Sequence, residues 1–198
     1  MNGSDERFGV IAAGFSGDTA TARIGLSHPD PAVRASALRA LSRAGALTDT
    51  DLDSALADTA ARVRRTAAEL AAAHPGVDVR PLLDDDDLFV AEMAAWALGE
   101  RAEPGPQDID ALVAAATGHA QVLVREAATA SLGSTGDPRG LDAIIAACSD
   151  KPTVRRRAVL ALAPFMDDHR VGEVLRRALT DRDWQVRQNA EDLLEPRI

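Results

Sequence analysis

The sequence predicts an all-α protein, a right-handed α-solenoid of about six helix pairs preceded by an N-terminal half-unit. Three observations carry this. The first is a recurring phrase, clearest as Val154-Arg155-Arg156-Arg157-Ala158-Val159-Leu160-Ala161-Leu162. A Val, an Ala four residues on and an apolar residue at seven or eight mark one face of a 3.6-residue period. The phrase starts near residues 33, 63, 90, 124, 154 and 186, at intervals of 30, 27, 34, 30 and 32 residues, which is the spacing of a repeat array. The second is that segments between phrases carry a helical stripe of their own. The third is composition: 46% hydrophobic residues with only 3% aromatics gives an interior of Ala, Leu and Val, whose small side chains let helices approach closely. A repeat array shares one continuous core, so residues 1–198 read as a single domain.

Taken in order, residues 4–15 form the half-unit, with Ser4 as N-cap and Phe8, Ile11, Ala12 and Phe15 as its apolar stripe. A short helix follows from Asp18 to Leu26. Asp30-Pro31 then starts a firm one, with Asp as the cap and Pro where its missing N–H costs nothing. From there each unit has a first helix and a second helix, the second carrying the phrase. The first helices repeat an i, i+3, i+4, i+7 stripe: Ile109, Leu112, Val113 and Ala116; Leu141, Ile144, Ile145 and Cys148; Val171, Val174, Leu175 and Ala178. Leu52, Ala55 and Leu56 give a shorter version, and Pro81 leaves the third first-helix only one or two turns. Turns are explicit at Gly136-Asp137-Pro138 and Ser149-Asp150-Lys151-Pro152. The long connection, Glu100 to Gln107 with Pro104-Gly105-Pro106 inside it, is read as a tolerated surface insertion or as a hinge or recognition loop.

The phrases resemble HEAT repeats of the short, phycobilisome-lyase-like type. The residues that carry the likeness are Val124-Arg125-Glu126-Ala127-Ala128 through Ser131-Leu132-Gly133 and Gly136-Asp137, with Ala94-Ala95-Trp96-Ala97-Leu98-Gly99 as a second match. The resemblance covers the chain from about Asp18 and implies a solenoid whose second helices line the concave surface. It does not single out an activity, because such repeats serve scaffolds, bilin-attachment factors and a di-iron hydroxylase alike.

The Arg after each Val flanks the buried stripe, and a turn Asp precedes most phrases. Arg34, Arg64, Arg125, Arg155 and Arg187 with Asp30, Asp58, Asp87, Asp150 and Asp183 are therefore expected to form a ladder between repeats rather than a functional basic stripe. Ala91 replaces the Arg in the third unit.

No catalytic constellation stands out, and the chain is read as non-enzymatic and free of cofactors. His28, His74, His119 and His169 stand in separate turns, and the positions matching the hydroxylase's His-Glu motifs hold no His. Asp84-Asp85-Asp86-Asp87 and Asp167-Asp168-His169 read as solvated helix caps rather than metal sites, and Cys148 as a small buried hydrophobe. A lone Cys fits a reducing compartment, and there is neither a membrane-length apolar run nor a signal peptide, so a cytoplasmic monomer is expected.

One feature points to function. Glu92 and Trp96 lie two and six residues after Val90, away from the core by helical phase, and Phe89 and Met93 adjoin them. Arg65, Leu123, Glu126, Arg156 and Leu160 surround these at equivalent places in neighbouring units. The set is a candidate partner-binding patch with Trp96 as anchor, Trp96 packed between helices being the alternative. The expected function is a non-catalytic adaptor that binds a protein or peptide segment on its concave face. The alternative, implied by the resemblance, is a bilin-lyase-like factor that holds a chromophore and its acceptor protein. Nucleic-acid binding through Arg62, Arg64, Arg65 and Arg155 to Arg157 is weighed against by the net charge of −9.

Overall fold

The computed structural model describes residues 3–195, and these form twelve α-helices joined by turns and short 3-10 segments, with no strand among them. The chain packs as two compact units, Met1–Ala97 and Leu98–Ile198. The first contains α1 (Gly3–Ser16), α2 (Thr19–Gly25), α3 (Pro31–Arg43), α4 (Asp49–Leu56) and α5 (Ala61–Ala71), and α6 (Leu88–Gly99) begins in it. The second contains α7 (Pro106–Gly118), α8 (Val122–Thr135), α9 (Leu141–Ala147), α10 (Pro152–Ala161), α11 (His169–Ala178) and α12 (Trp184–Leu194). A lone helix thus precedes six pairs. In the third pair the first helix is only a 3-10 segment, Arg80–Asp84, because Pro81 stands at its start.

Second helices stack on second helices. In the first unit α1 packs along α3 and α3 along α5, with α2 laid against α1 and α3, and α4 against α5. In the second unit α8 packs along α10 and α10 along α12, with α7, α9 and α11 behind them. The phrase is what these contacts bury. All six Val and all six Ala are buried, from Val33 and Ala37 to Val186 and Ala190. Leu41, Leu98, Leu132 and Leu162 are buried with them, while Leu70 and Leu193 are half-buried. Asp18, Asp30, Asp168 and Asp183 cap their helices through backbone N–H groups, and Thr48 and Asp51 form a reciprocal capping box.

α1 departs from the expected register. Its buried face is Val10, Ala13 and Gly14, whereas Phe8 and Phe15 are 72% and 74% exposed. Helix separation decides this over hydrophobicity. A Cβ on Gly14 would lie 2.7 Å from the Ala40 Cα, so α1 and α3 approach too closely for a Phe between them. Phe15 instead lies under the Arg43 guanidinium, 4.2 Å from its ring centre. The helix already contains Ser4, so Ser4 is not its N-cap residue, and the Ser4 side chain lies outside the described residues.

Across consecutive turns, arginine forks meet aspartates. Arg34 donates through Nε and Nη2 to Asp58 at 2.7 Å each, and its Nη1 donates to the His28 carbonyl at 2.8 Å. Arg64 does the same to Asp85, Arg125 to Asp150, and Arg155 to Asp181. The acceptors differ from the expected set. Asp58 and Asp150 accept forks, whereas Asp30, Asp87 and Asp183 cap helices, and the forks of Arg64 and Arg155 reach Asp85 and Asp181, each two residues before the expected Asp. Arg187 donates to the Asp181 carbonyl and, among the described residues, forks onto no carboxylate. Each accepting Asp also takes a backbone N–H just ahead of it, as Asp58 does from Ala60 and Asp181 from Asp183, so one side chain ties the turn to the preceding repeat.

The forks set carboxylate acidity. Hydrogen bonds from Arg34, Arg125 and Arg155 hold Asp58, Asp150 and Asp181 below the ordinary carboxylate value. Burial pushes Asp85 up, but the Arg64 fork and the Asp87 N–H more than offset it and leave this carboxyl lowered too. A carboxyl lowered in the folded state contributes stability that is complete above its unfolded pKa, about 4, and is lost as the pH falls through the folded value. Arg125→Ala should cost about 1–3 kcal/mol near neutral pH by leaving Asp150 without its fork. Melts from neutral to acid pH should show the gap from the parent protein closing below about pH 4. A gap that stays constant would mean the fork does not act through the charged carboxylate.

Two glycines test the packing from opposite sides. A Cβ on Gly133 would sit 2.6 Å from the Ala161 Cβ and 2.7 Å from its Cα, so Gly133→Ala should lose about 1–3 kcal/mol. Gly9 lies exposed inside α1 with open space around it, and Gly9→Ala should gain about 0.5–1 kcal/mol. Denaturant melts of the two variants should move in opposite directions.

Candidate functional site

The side of the second helices that faces away from the first helices carries the residues at three and six after each Val. In the first unit these are Ser36 and Arg39 on α3, Thr66 and Glu69 on α5, and Met93 and Trp96 on α6. Phe89 and Trp96 are 53% and 40% exposed, while Val90, Ala94, Ala95 and Ala97 of the same helix are buried. Arg65 stands over the Phe89 ring, 5.6 Å from its centre, and Glu92 and Met93 are half-buried between the aromatics. In the second unit Leu160 is exposed, and Leu123, Glu126 and Arg156 are half-buried.

Arg156 is not a free outward charge. It hydrogen-bonds Asp183 through Nε at 3.1 Å and through Nη2, holding that carboxyl at about 2, and Arg157 donates to Glu126 at 3.2 Å. With Arg155 forked onto Asp181, the run Arg155 to Arg157 is neutralised from within, whereas in the run Arg62, Arg64 and Arg65 it is Arg64 that is paired, with Asp85. The acids that pair with Arg64, Arg155 and Arg156 lie in the next turn, about 20–30 residues away, and not beside the arginines in sequence.

Sequence reasoning missed a cluster on α1, α3 and α5. Arg7 donates to the Ser36 hydroxyl at 3.1 Å, and Arg39 to the Thr66 hydroxyl at 3.3 Å and to Glu69. Arg62 and Arg65 are exposed beside them. Among the described residues none of Arg7, Arg62 and Arg65 pairs with a carboxylate. The signal for this cluster lay in the register, a hydroxyl three after one Val facing an arginine from the preceding second helix.

The groups considered for metals have other roles. Asp85 takes the Arg64 fork, Asp87 caps α6, and Asp168 caps α11 and is held at about 2 by the Arg170 guanidinium. Among the described residues no group of three or more His, Cys, Asp and Glu could hold a metal ion. His28 and His119 each accept a backbone N–H at Nδ1, from Asp30 and Gln121, which serves the turn and fixes the tautomer. The long connection is anchored at both ends. Arg101 and Asp108 form a buried pair at 2.7 Å, and Asp108 accepts the Gly105 N–H.

This geometry is that of a helical-repeat protein. Residues 109–195 match the family model of HEAT repeats. No curated protein matches the sequence. Among solved structures, YibA of Escherichia coli is similar at 17% identity and a TM-score of 0.63, over 86% of this chain and 67% of that one. A designed armadillo repeat protein in complex with the peptide (KR)4 is similar at 20% identity and 0.60, over 86% and 95%. The complex of CpcE and CpcF of phycocyanin lyase from Nostoc sp. PCC7120 is similar at 24% identity and 0.59, over 89% and 75%. At these identities the likeness is one of fold.

Cys148 packs at the end of α9 against Ala147, Val154 and Ala158, and burial pushes its thiol up to about 12. It should react with a thiol-directed disulfide reagent at about pH 8 only slowly in the folded protein and at once after denaturation, because the thiolate is the reacting species. Equal rates in the two states would place the thiol at the surface.

Proposed function

We propose that this protein is a non-catalytic adaptor that binds a segment of a protein partner along the face of its second helices. The observation that carries the reading is the pair Phe89 and Trp96, two large aromatics left 53% and 40% exposed on a helix whose other face is buried. Aromatic and Met side chains with Arg alongside are what protein interfaces concentrate, and Arg65 and Met93 complete that composition here. The designed armadillo protein with (KR)4 supports a peptide as the kind of ligand such a fold can take. The second reading, a factor that holds a bilin and its acceptor protein, draws on the likeness to CpcE and CpcF and predicts visible absorbance on the protein purified from its own cells. A cytoplasmic monomer suits the adaptor, and no helix among the described residues is long and apolar enough to cross a membrane.

The test is selection of binders from a displayed library of random peptides. Trp96→Ala should weaken the selected peptides by about 2 kcal/mol or more, roughly thirtyfold, while its melt stays near that of the parent. Trp96 emission, isolated by Trp184→Phe, should be red-shifted in the free protein and move to the blue on binding. Binders indifferent to Trp96→Ala, or a collapsed melt, would sink the anchor.

A further inference from the structure

A cavity of about 380 Å³ opens between α1, α3 and α5, all within the first unit, and its charged lining is four arginines and one carboxylate. Arg7 comes from α1, Arg39 from α3, and Arg62 and Arg65 from α5. The floor is built from two buried hydroxyls. Ser36 Oγ donates to the Ala32 carbonyl at 2.9 Å and accepts from Arg7, and Thr66 Oγ1 donates to the Arg62 carbonyl at 3.0 Å and accepts from Arg39. These bonds hold two guanidiniums in place, Arg7 through Nε and Arg39 through Nη1. Only Glu69, bound to Arg39, offsets the charge.

Four guanidiniums gathered around one carboxylate leave a local excess of positive charge that an anionic ligand would relieve. Guanidiniums are matched by carboxylates, which take two parallel N–H bonds from each fork. Arg65 connects the cavity to the aromatics, because it lines the one and stands over Phe89. Positive charge ends there: Glu69 and Glu92 lie on the same face. A polyanion of uniform charge would run onto those acids, whereas a short acidic stretch followed by an apolar residue meets each feature in turn.

We infer that the segment recognised on this face is an acidic peptide, its Asp or Glu side chains entering the cavity between α1, α3 and α5 and a neighbouring apolar residue covering Phe89 and Trp96. This rests on the reading of the second-helix face as a peptide-binding surface and names the chemistry of its partner. The basic peptide held by the designed armadillo protein would be repelled here.

The experiment is selection from the displayed library, followed by fluorescence anisotropy on the full chain with three labelled probes. The probes are an Asp/Glu-rich peptide containing a Leu or Phe, the same peptide with Lys in place of the acids, and a single-stranded oligonucleotide of matched length. The selected sequences should be enriched in Asp and Glu, and the acidic probe should bind while the basic one does not. Arg62→Glu with Arg65→Glu should weaken the acidic probe about tenfold or more, both side chains being exposed and the melt unchanged. Binders that need Trp96 yet show no acidic enrichment, or that ignore the two charge reversals, would overturn the inference and leave the adaptor reading standing. Recovery of no peptide at all would remove both. Tighter capture of the oligonucleotide than of the acidic peptide would assign the cavity to phosphate instead.

Discussion

An arginine that reaches out of one repeat and forks onto an aspartate in the following turn is the contact on which this architecture depends. The apolar phrase by itself specifies a helix with one buried face, and such a face can slide or rotate on a neighbour made mostly of Ala. The fork removes that freedom. Arg34 to Asp58 and Arg125 to Asp150 each fix two repeats at a single register, and the same carboxylates hold the turn that starts the next second helix. The pairs are partly buried, so their value lies as much in leaving no charge unpaired as in attraction. Nearest-neighbour coupling of this kind is what makes a linear stack behave as a protein.

The ladder also shapes where function can lie. It draws Arg34, Arg64, Arg125 and Arg155, and the acids of the turns that follow them, into mutual pairs, so that edge offers little to a partner. The face formed by the residues at three and six is under no such demand and varies from repeat to repeat: Arg39, Glu69 and Trp96 at six; Ser36, Thr66 and Met93 at three. Repetition builds the frame, and departures from it carry recognition.

Much of the frame could be read from residues alone, because the signals were local and repeated. Val, Ala and Leu at four and eight, Asp before Pro or two residues before an N–H, and Pro81 shortening a helix all act within one turn of chain. What could not be read depended on distance between helices. The α1 stripe was placed on Phe8 and Phe15 by hydrophobicity, and Gly14 against Ala40 turned it away. Two of the ladder acids, Asp87 and Asp183, lie two residues beyond the true acceptors, because a cap Asp and a fork-accepting Asp look alike until the reach of an Arg side chain is known. Of the site, Phe89 and Trp96 were legible from helical phase, while Arg7 and Arg39 belong to a cavity assembled from three helices and carried only a faint register signal.

The ladder has a consequence for the history and engineering of such chains. Donor and acceptor recur at one register, so the stretch from Arg125 to Val154 contains one fork and its own acceptor, Asp150, while Arg155 keeps Asp181. Excising or duplicating that stretch would remove or add a charge pair together and orphan neither partner. A chain built this way can change length by whole modules through recombination, without a compensating mutation at the seam.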